Sequence, residues 1–143
     1  TALSEGIGEV LTQLPPMPRC YILIAKPRIS VSTRFVYENL EADKLSYHPD
    51  IDGMIEAIQQ DDLQGVTDRL SNVLETVTEK KYPIIGQIKA AMIEAGALNS
   101  LMSGSGPTVF GIYADKDTAM KALDKIQDIE MVKNAYVVEP YQP

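Results

Sequence analysis

The residues with the clearest chemical potential form one loop, Met102-Ser103-Gly104-Ser105-Gly106-Pro107-Thr108, set between apolar runs. No charged residue occurs from Ala95 to Ala114, whereas loops usually carry polar and charged side chains. Gly104 and Gly106 remove side chains where the chain turns, so the backbone can approach a partner closely. N–H groups exposed in this way can cradle an anion such as a phosphate. The same pattern, strand-glycines-strand, is also that of a plain hairpin. The loop's own residues leave both readings open. A Walker A loop is excluded because no Gly-Lys-Ser/Thr follows.

Other chemistry is sparse. His48 is the single histidine and Cys20 the single cysteine, too few for a zinc site or a His-based triad. His48 sits beside Pro49 and reads as a surface residue. Cys20 lies in an apolar run and reads as packing. No carboxylate pair stands out as an acid–base couple. Asp50, Asp52, Asp61, Asp62 and Asp68 read as helix caps and a solvated face, without EF-hand spacing. No catalytic residue and no metal ligand is therefore assigned.

The net charge of −7 argues against nucleic acid as a partner. Yet Val10 to Tyr37 contains no acid and carries Arg19, Lys26, Arg28 and Arg34. Such a segment suits a small anionic ligand, or is simply a set of solvated cations. No apolar run is long enough to span a membrane, and the lone cysteine fits a reducing compartment. Together these give a cytoplasmic expectation. The opening Thr1-Ala2-Leu3 lacks an initiator Met and reads as a cut inside a longer polypeptide or a processed terminus.

These residues need elements to position them. Glu9 to Leu14 reads as a short strand or linker, and Pro15 to Pro18 as a stiff connector. Cys20 to Ala25 is a continuous β-type apolar run, the mark of a buried strand. Ser32 or Thr33 caps a helix from about Arg34 to Leu40. Arg34 in its first turn opposes the helix dipole unless an anion lies nearby. Pro49 to Leu63 and Val66 to Val77 read as helical stretches separated at Asp61-Asp62. Tyr82 to Ala95 is the clearest helix, with Pro83 at its first position and Gly96 as its stop. Strands at Ala97–Ser103 and Thr108–Tyr113 flank the glycine loop. Asp115 caps a helix burying Ala119, Leu123 and Ile126, and Ala135–Val138 is the last strand. The order predicts an α+β, ferredoxin-like β-α-β-β-α-β domain with extra helices in the first crossover, its sheet covered by helices on one face.

With these motifs in place, the chain resembles the GHMP kinases (galactose, homoserine, mevalonate and phosphomevalonate kinases). Met102 to Thr108 is similar to the family's third motif. Gly8-Glu9-Val10-Leu11-Thr12 to Pro18, and Ala25-Lys26-Pro27-Arg28-Ile29-Ser30-Val31-Ser32-Thr33 to Tyr37, resemble the branch that phosphorylates a cytidine-diphosphate sugar alcohol in non-mevalonate isoprenoid synthesis. The family's ATP-binding Gly-Gly-Ser-Ser run has no counterpart here. The resemblance therefore implies a C-terminal domain at 19–143, with 1–18 a boundary segment from an absent N-terminal ATP-binding domain, and no kinase activity from this portion alone. It also implies substrate-side residues Thr33 and Tyr37, the latter beside a cytosine ring, and Gly104, Ser105 and Gly106 beside the transferred phosphate. ATP and Mg2+ would serve the whole enzyme. The alternatives are the C-terminal domain of homoserine kinase or another GHMP kinase, and a non-catalytic ferredoxin-like regulatory or oligomerisation module.

Overall fold

A computed structural model of the protein describes residues 1–41, 45 and 47–141. The chain begins with a hairpin of β1 (Ala2–Glu5) and β2 (Val10–Gln13), paired from Ala2↔Gln13 to Glu5↔Val10. Gly6 (φ 66°) and Gly8 (φ 102°) supply the left-handed backbone of its turn. Nearly every residue of this hairpin is exposed, and it forms a two-stranded sheet of its own. The expected strand at Glu9–Leu14 is present as β2, whereas the pairing strand β1 carries no core-facing pattern and was not expected.

The main chain then runs β3 (Tyr21–Pro27), α1 (Thr33–Glu38), α2 (Ile51–Gln59), α3 (Leu63–Asp68), α4 (Glu75–Lys81), α5 (Ile84–Glu94), β4 (Asn99–Met102), β5 (Val109–Tyr113), α6 (Lys116–Gln127) and β6 (Val132–Val138). The four-stranded sheet has the order β4-β5-β3-β6, and every neighbouring pair is antiparallel. This is the ferredoxin-like β-α-β-β-α-β arrangement, with α1 to α4 inserted before α5 in the first crossover.

Sequence explains most of these boundaries. Ser32 accepts from the Phe35 N–H, Asp50 from Gly53, Asp62 from Gly65 and Asp115 from Thr118, each satisfying a donor that a helix start leaves unpaired. Gly96 takes φ 101° after α5, the αL stop that glycine permits. Pro83 stands at the N-cap, one place before its expected position. The single helical stretch expected from Val66 to Val77 is two helices, α3 and α4, with a break between Arg69 and Leu74.

One face of the sheet is packed by α5 and α6. Leu23, Ala25 and Tyr113 from the strands meet Ile85, Ile88 and Met92 from α5, with Ala119, Ala122 and Ile126 from α6. A smaller cluster of Ala57, Ile58 and Val66 joins α2 to α3, with Leu14 and Met17 packed on it. Among the described residues no helix is long and apolar enough to cross a membrane.

Candidate functional site

The sheet register decides which distant segments meet. Val109, the first residue of β5, pairs with Ala25 near the end of β3 and with Met102 at the end of β4. The glycine loop and the chain leaving β3 toward α1 therefore emerge at the same end of the sheet. There the Thr33 and Ser105 hydroxyls share a hydrogen bond of 2.8 Å. Thr33 opens α1, and Tyr37 lies four residues on, hence on the same helix face. Tyr37 is 60% exposed, so its ring is available to a partner. All five expected residues, Thr33, Tyr37, Gly104, Ser105 and Gly106, lie on these two segments, and Thr33 and Ser105 are in contact.

The loop is a hairpin connection as well as a candidate cradle. The Ser103 N–H donates to the Thr108 carbonyl (2.8 Å) and the Gly106 N–H to the Ser103 carbonyl (3.0 Å). The Gly106–Pro107 peptide is cis. Its two glycines have different reasons to be glycine. Gly104 takes φ 56° and a Cβ there would meet nothing within 4 Å. Gly106 takes φ 88° and a Cβ there would lie 2.7 Å from Met102 Sδ and 3.3 Å from Thr78 Cγ2. Gly104 thus faces open space and Gly106 is packed. Among the described residues, the N–H groups of Gly104 and Ser105 donate to no protein acceptor.

The loop's other backbone groups are held by residues that sequence reasoning passed over. Asn72 Nδ2 donates to the Met102 carbonyl (2.8 Å) and the Gly104 carbonyl (2.7 Å), while its Oδ1 accepts from the Leu74 N–H (3.1 Å). Glu75 Oε1 accepts from the Met102 N–H (2.6 Å) and its Oε2 from Lys89 Nζ (2.9 Å). Thr78, fully buried, donates its hydroxyl to the Ser105 carbonyl (3.1 Å). In sequence these three are polar positions interleaved with the apolar stripe of Leu70, Val73, Leu74 and Val77, and nothing there distinguishes them from a solvated helix face.

The basic segment is less concentrated than its charge suggests. Arg34 pairs with Glu38 (2.6 Å) in an exposed i,i+4 bridge, so its charge in the first turn is met by the chain itself. Arg28 Nε donates to the Glu130 carbonyl (3.2 Å) beside β6. Arg19 and Lys26 are exposed. His48 is exposed too. Cys20 is fully buried, and burial pushes its thiol up, away from the thiolate. Among the described residues no group of three or more His, Cys, Asp or Glu is placed to hold a metal ion.

A cleft of about 1220 Å³ lies on the other side of α1, walled by Phe35, Asn39, Tyr47, Asn72, Glu75 and Lys81 among others. None of the five expected residues lines it. Their wall is an open surface, so cavity size alone would direct attention elsewhere.

Known proteins share both the fold and the sequence. The chain is 59% identical over 122 residues to 4-diphosphocytidyl-2-C-methyl-D-erythritol kinase from Lachnoclostridium phytofermentans, a match covering 85% of this chain and 42% of that protein. The kinase of the same name from Lachnospira eligens is 51% identical over 143 residues, all of this chain and 50% of that protein. The chain thus spans about half the length of the curated relatives it matches. A crystal structure of 4-(cytidine 5'-diphospho)-2C-methyl-D-erythritol kinase superposes with a TM-score of 0.79 at 23% identity, over 99% of this chain and 50% of that one. Homoserine kinase from Cytophaga hutchinsonii gives 0.77 at 21% identity, over 98% and 47%. Likenesses at such identities establish the fold, which is the ferredoxin-like one expected. The family described as GHMP kinases C terminal matches residues 49–131, and the chain belongs to that family.

Proposed function

We propose that this chain is the substrate-side part of a kinase that uses ATP to phosphorylate 4-diphosphocytidyl-2-C-methyl-D-erythritol, a step of non-mevalonate isoprenoid synthesis, in the cytoplasm. The observation that carries the reading is the Thr33–Ser105 hydrogen bond. It ties the segment that resembles the cytidine branch of the family to the glycine loop shared across the family. Relatives of that name at 51% and 59% identity support it.

On this reading the chain binds and orients rather than transfers protons. The exposed Tyr37 ring offers a face or edge to cytosine, a contact worth about 1–3 kcal/mol when stacked. The unpaired N–H groups of Gly104 and Ser105 face charge that develops on a transferring phosphoryl group, where fixed donors contribute most. Thr33 and Ser105 hold the two segments in register, and Gly106 packs the base of the loop. When bound, ATP would supply the phosphoryl group and Mg2+ would screen its charge. From this chain only the Gly104 and Ser105 N–H donors would meet phosphoryl oxygens, and the groups that would hold ATP and Mg2+ are assigned to an N-terminal ATP-binding domain. The boundary between the two parts then lies within residues 1–18, and the 143 residues alone turn over no substrate.

The test begins with the gene. Its reading frame should encode a glycine-rich ATP motif and an aspartate base upstream of Thr1. The full-length product should phosphorylate the cytidine-diphosphate substrate with a higher kcat/KM than homoserine. A preference for homoserine would assign the chain to that kinase instead. Absence of both activities would favour a non-catalytic module. Tight cytidine-nucleotide binding by the 143 residues alone, measured by calorimetry, would overturn the assignment of half the site to another domain.

A further inference from the structure

The glycine loop has more backbone hydrogen-bonding groups than a hairpin can pair internally. Four of them, the Met102 N–H and the carbonyls of Met102, Gly104 and Ser105, are taken up by side chains of one short segment. Asn72, Glu75 and Thr78 recur every third residue along it, and each meets the loop or the residue at its base. Asn72 is fixed in turn through its Oδ1, which accepts from the Leu74 N–H, and Glu75 through Lys89 Nζ on α5. The segment is therefore anchored to the core helix before it touches the loop. Among the described residues, the Gly104 and Ser105 N–H groups are left without a protein acceptor.

We propose that Asn72, Glu75 and Thr78 are positioning residues that clamp the glycine loop, occupying its carbonyls and the strand amide at its base so that the Gly104 and Ser105 N–H groups stay preset for an anion. The clamp concerns geometry and can be tested apart from chemistry. Its role in catalysis rests on the kinase reading given above. A free loop with this many glycines would sample many backbone states, and donors that must reorganise at the moment of reaction contribute less than fixed ones. Each clamp residue acts through the loop backbone and touches no substrate.

The first test uses the 143-residue chain and reads amide hydrogen exchange residue by residue. The Gly106 N–H, bonded within the loop to Ser103, reports loop opening, and the Leu23 N–H in the central strand β3 reports the fold. Asn72→Ala should speed Gly106 exchange about tenfold or more, since two hydrogen bonds to the loop and its base are lost, with Leu23 unchanged. Thr78→Val, which keeps the shape and removes the donor, should act in the same direction, and Thr78→Ser should restore the slow rate. Equal acceleration at Leu23 and Gly106 would make these residues supports of the whole fold and overturn the proposal. So would an unchanged Gly106 rate. The second test uses the full-length product. Thr78→Val should lower kcat about tenfold with KM for the cytidine substrate within about twofold, and Thr78→Ser should recover most of it. Altered exchange with unchanged kcat would overturn the catalytic role and leave only a structural clamp. An inactive wild-type product would refute the kinase reading, while the exchange measurement would still decide the clamp.

Discussion

Gly104 and Gly106 carry the same left-handed backbone and should fail differently when given a methyl group. At Gly104, φ is 56° and a Cβ meets nothing within 4 Å, so Gly104→Ala costs only the backbone strain of an L-residue in that region, about 1–2 kcal/mol. Unfolding entropy near 2.1 cal/mol/K per residue, taken over 143 residues, turns this into a fall in Tm of about 3–7 °C. At Gly106 the same strain is joined by a Cβ 2.7 Å from Met102 Sδ, and Met102 is buried. Overpacking of that kind adds about 1–3 kcal/mol, for a total fall of about 7–17 °C. Catalysis should rank the two sites the other way for each degree lost. The Gly104 methyl enters open space beside the two unpaired N–H groups and should lower kcat of the full-length product about 100-fold, the scale of losing one oxyanion donor. Thermal unfolding by circular dichroism and steady-state kinetics below both transitions provide the comparison. A folded Gly104→Ala enzyme with wild-type kcat would refute the assignment of that open face to phosphate. Equal losses of Tm at the two positions would refute the distinction between a packed glycine and an open one.

Three further outcomes are expected. Thr33→Val and Ser105→Ala should couple by about 0.5–1 kcal/mol in a double-mutant cycle of urea unfolding; additivity would mean that the 2.8 Å contact does not hold the two segments together. Tyr113 is buried, donates its hydroxyl to the Met92 carbonyl (3.0 Å), and burial pushes its phenol up to about 12; because the folded value is raised, its contribution is complete below the ordinary value of 10.0 and is lost as pH rises through about 12, so Tyr113→Phe should flatten the alkaline fall in Tm, and an unchanged fall would refute this. Asp115 is held below the ordinary carboxylate value, first by the Thr118 N–H and then by the Thr118 hydroxyl; its contribution is present above the ordinary 3.8 and lost as pH falls through the lowered folded value, so Asp115→Asn, which keeps a capping oxygen, should hardly change Tm near neutrality yet reduce its fall under acid, and an identical acid slope would refute the cap as the source.

The fold was legible wherever burial imposes a period. The apolar run after Cys20, the α5 stripe closed by Gly96 and the cap at Asp115 each express a local rule strong enough to survive in the structure. The β1–β2 hairpin was only half legible, because strands exposed on both faces carry no inside-outside alternation. The break between α3 and α4 was hidden for the opposite reason. The stripe of Val66, Leu70, Val73, Leu74 and Val77 continues across it, but Asn72 gives its side chain to the Met102 and Gly104 carbonyls and to the Leu74 N–H, and those contacts outweigh helical periodicity. At the site, the glycine loop could be found from its residues alone. Its connection to Thr33 came through a family resemblance, since the two lie 72 residues apart. Asn72, Glu75 and Thr78 could not be found at all, because their role depends on where β4 ends in space.

The position of β4 also accounts for the extra helices in the first crossover. A four-strand ferredoxin-like sheet has two edges, here β4 and β6, and an uncovered edge exposes unpaired backbone groups. At β4 the Met102 N–H and carbonyl are taken by Glu75 and Asn72, and Asn99 Nδ2 reaches the Thr67 carbonyl at the end of α3 (2.7 Å). The inserted segment therefore meets this edge at both ends of the strand, at Asn99 and at Met102. The same bonds continue past the end of β4 into the glycine loop through the Gly104 and Ser105 carbonyls. Covering the edge and presetting the loop are consequently one structural act, and a minimal ferredoxin-like domain without α3 and α4 would lack the groups to do either. Asn72, Glu75 and Thr78 therefore belong with the site they support.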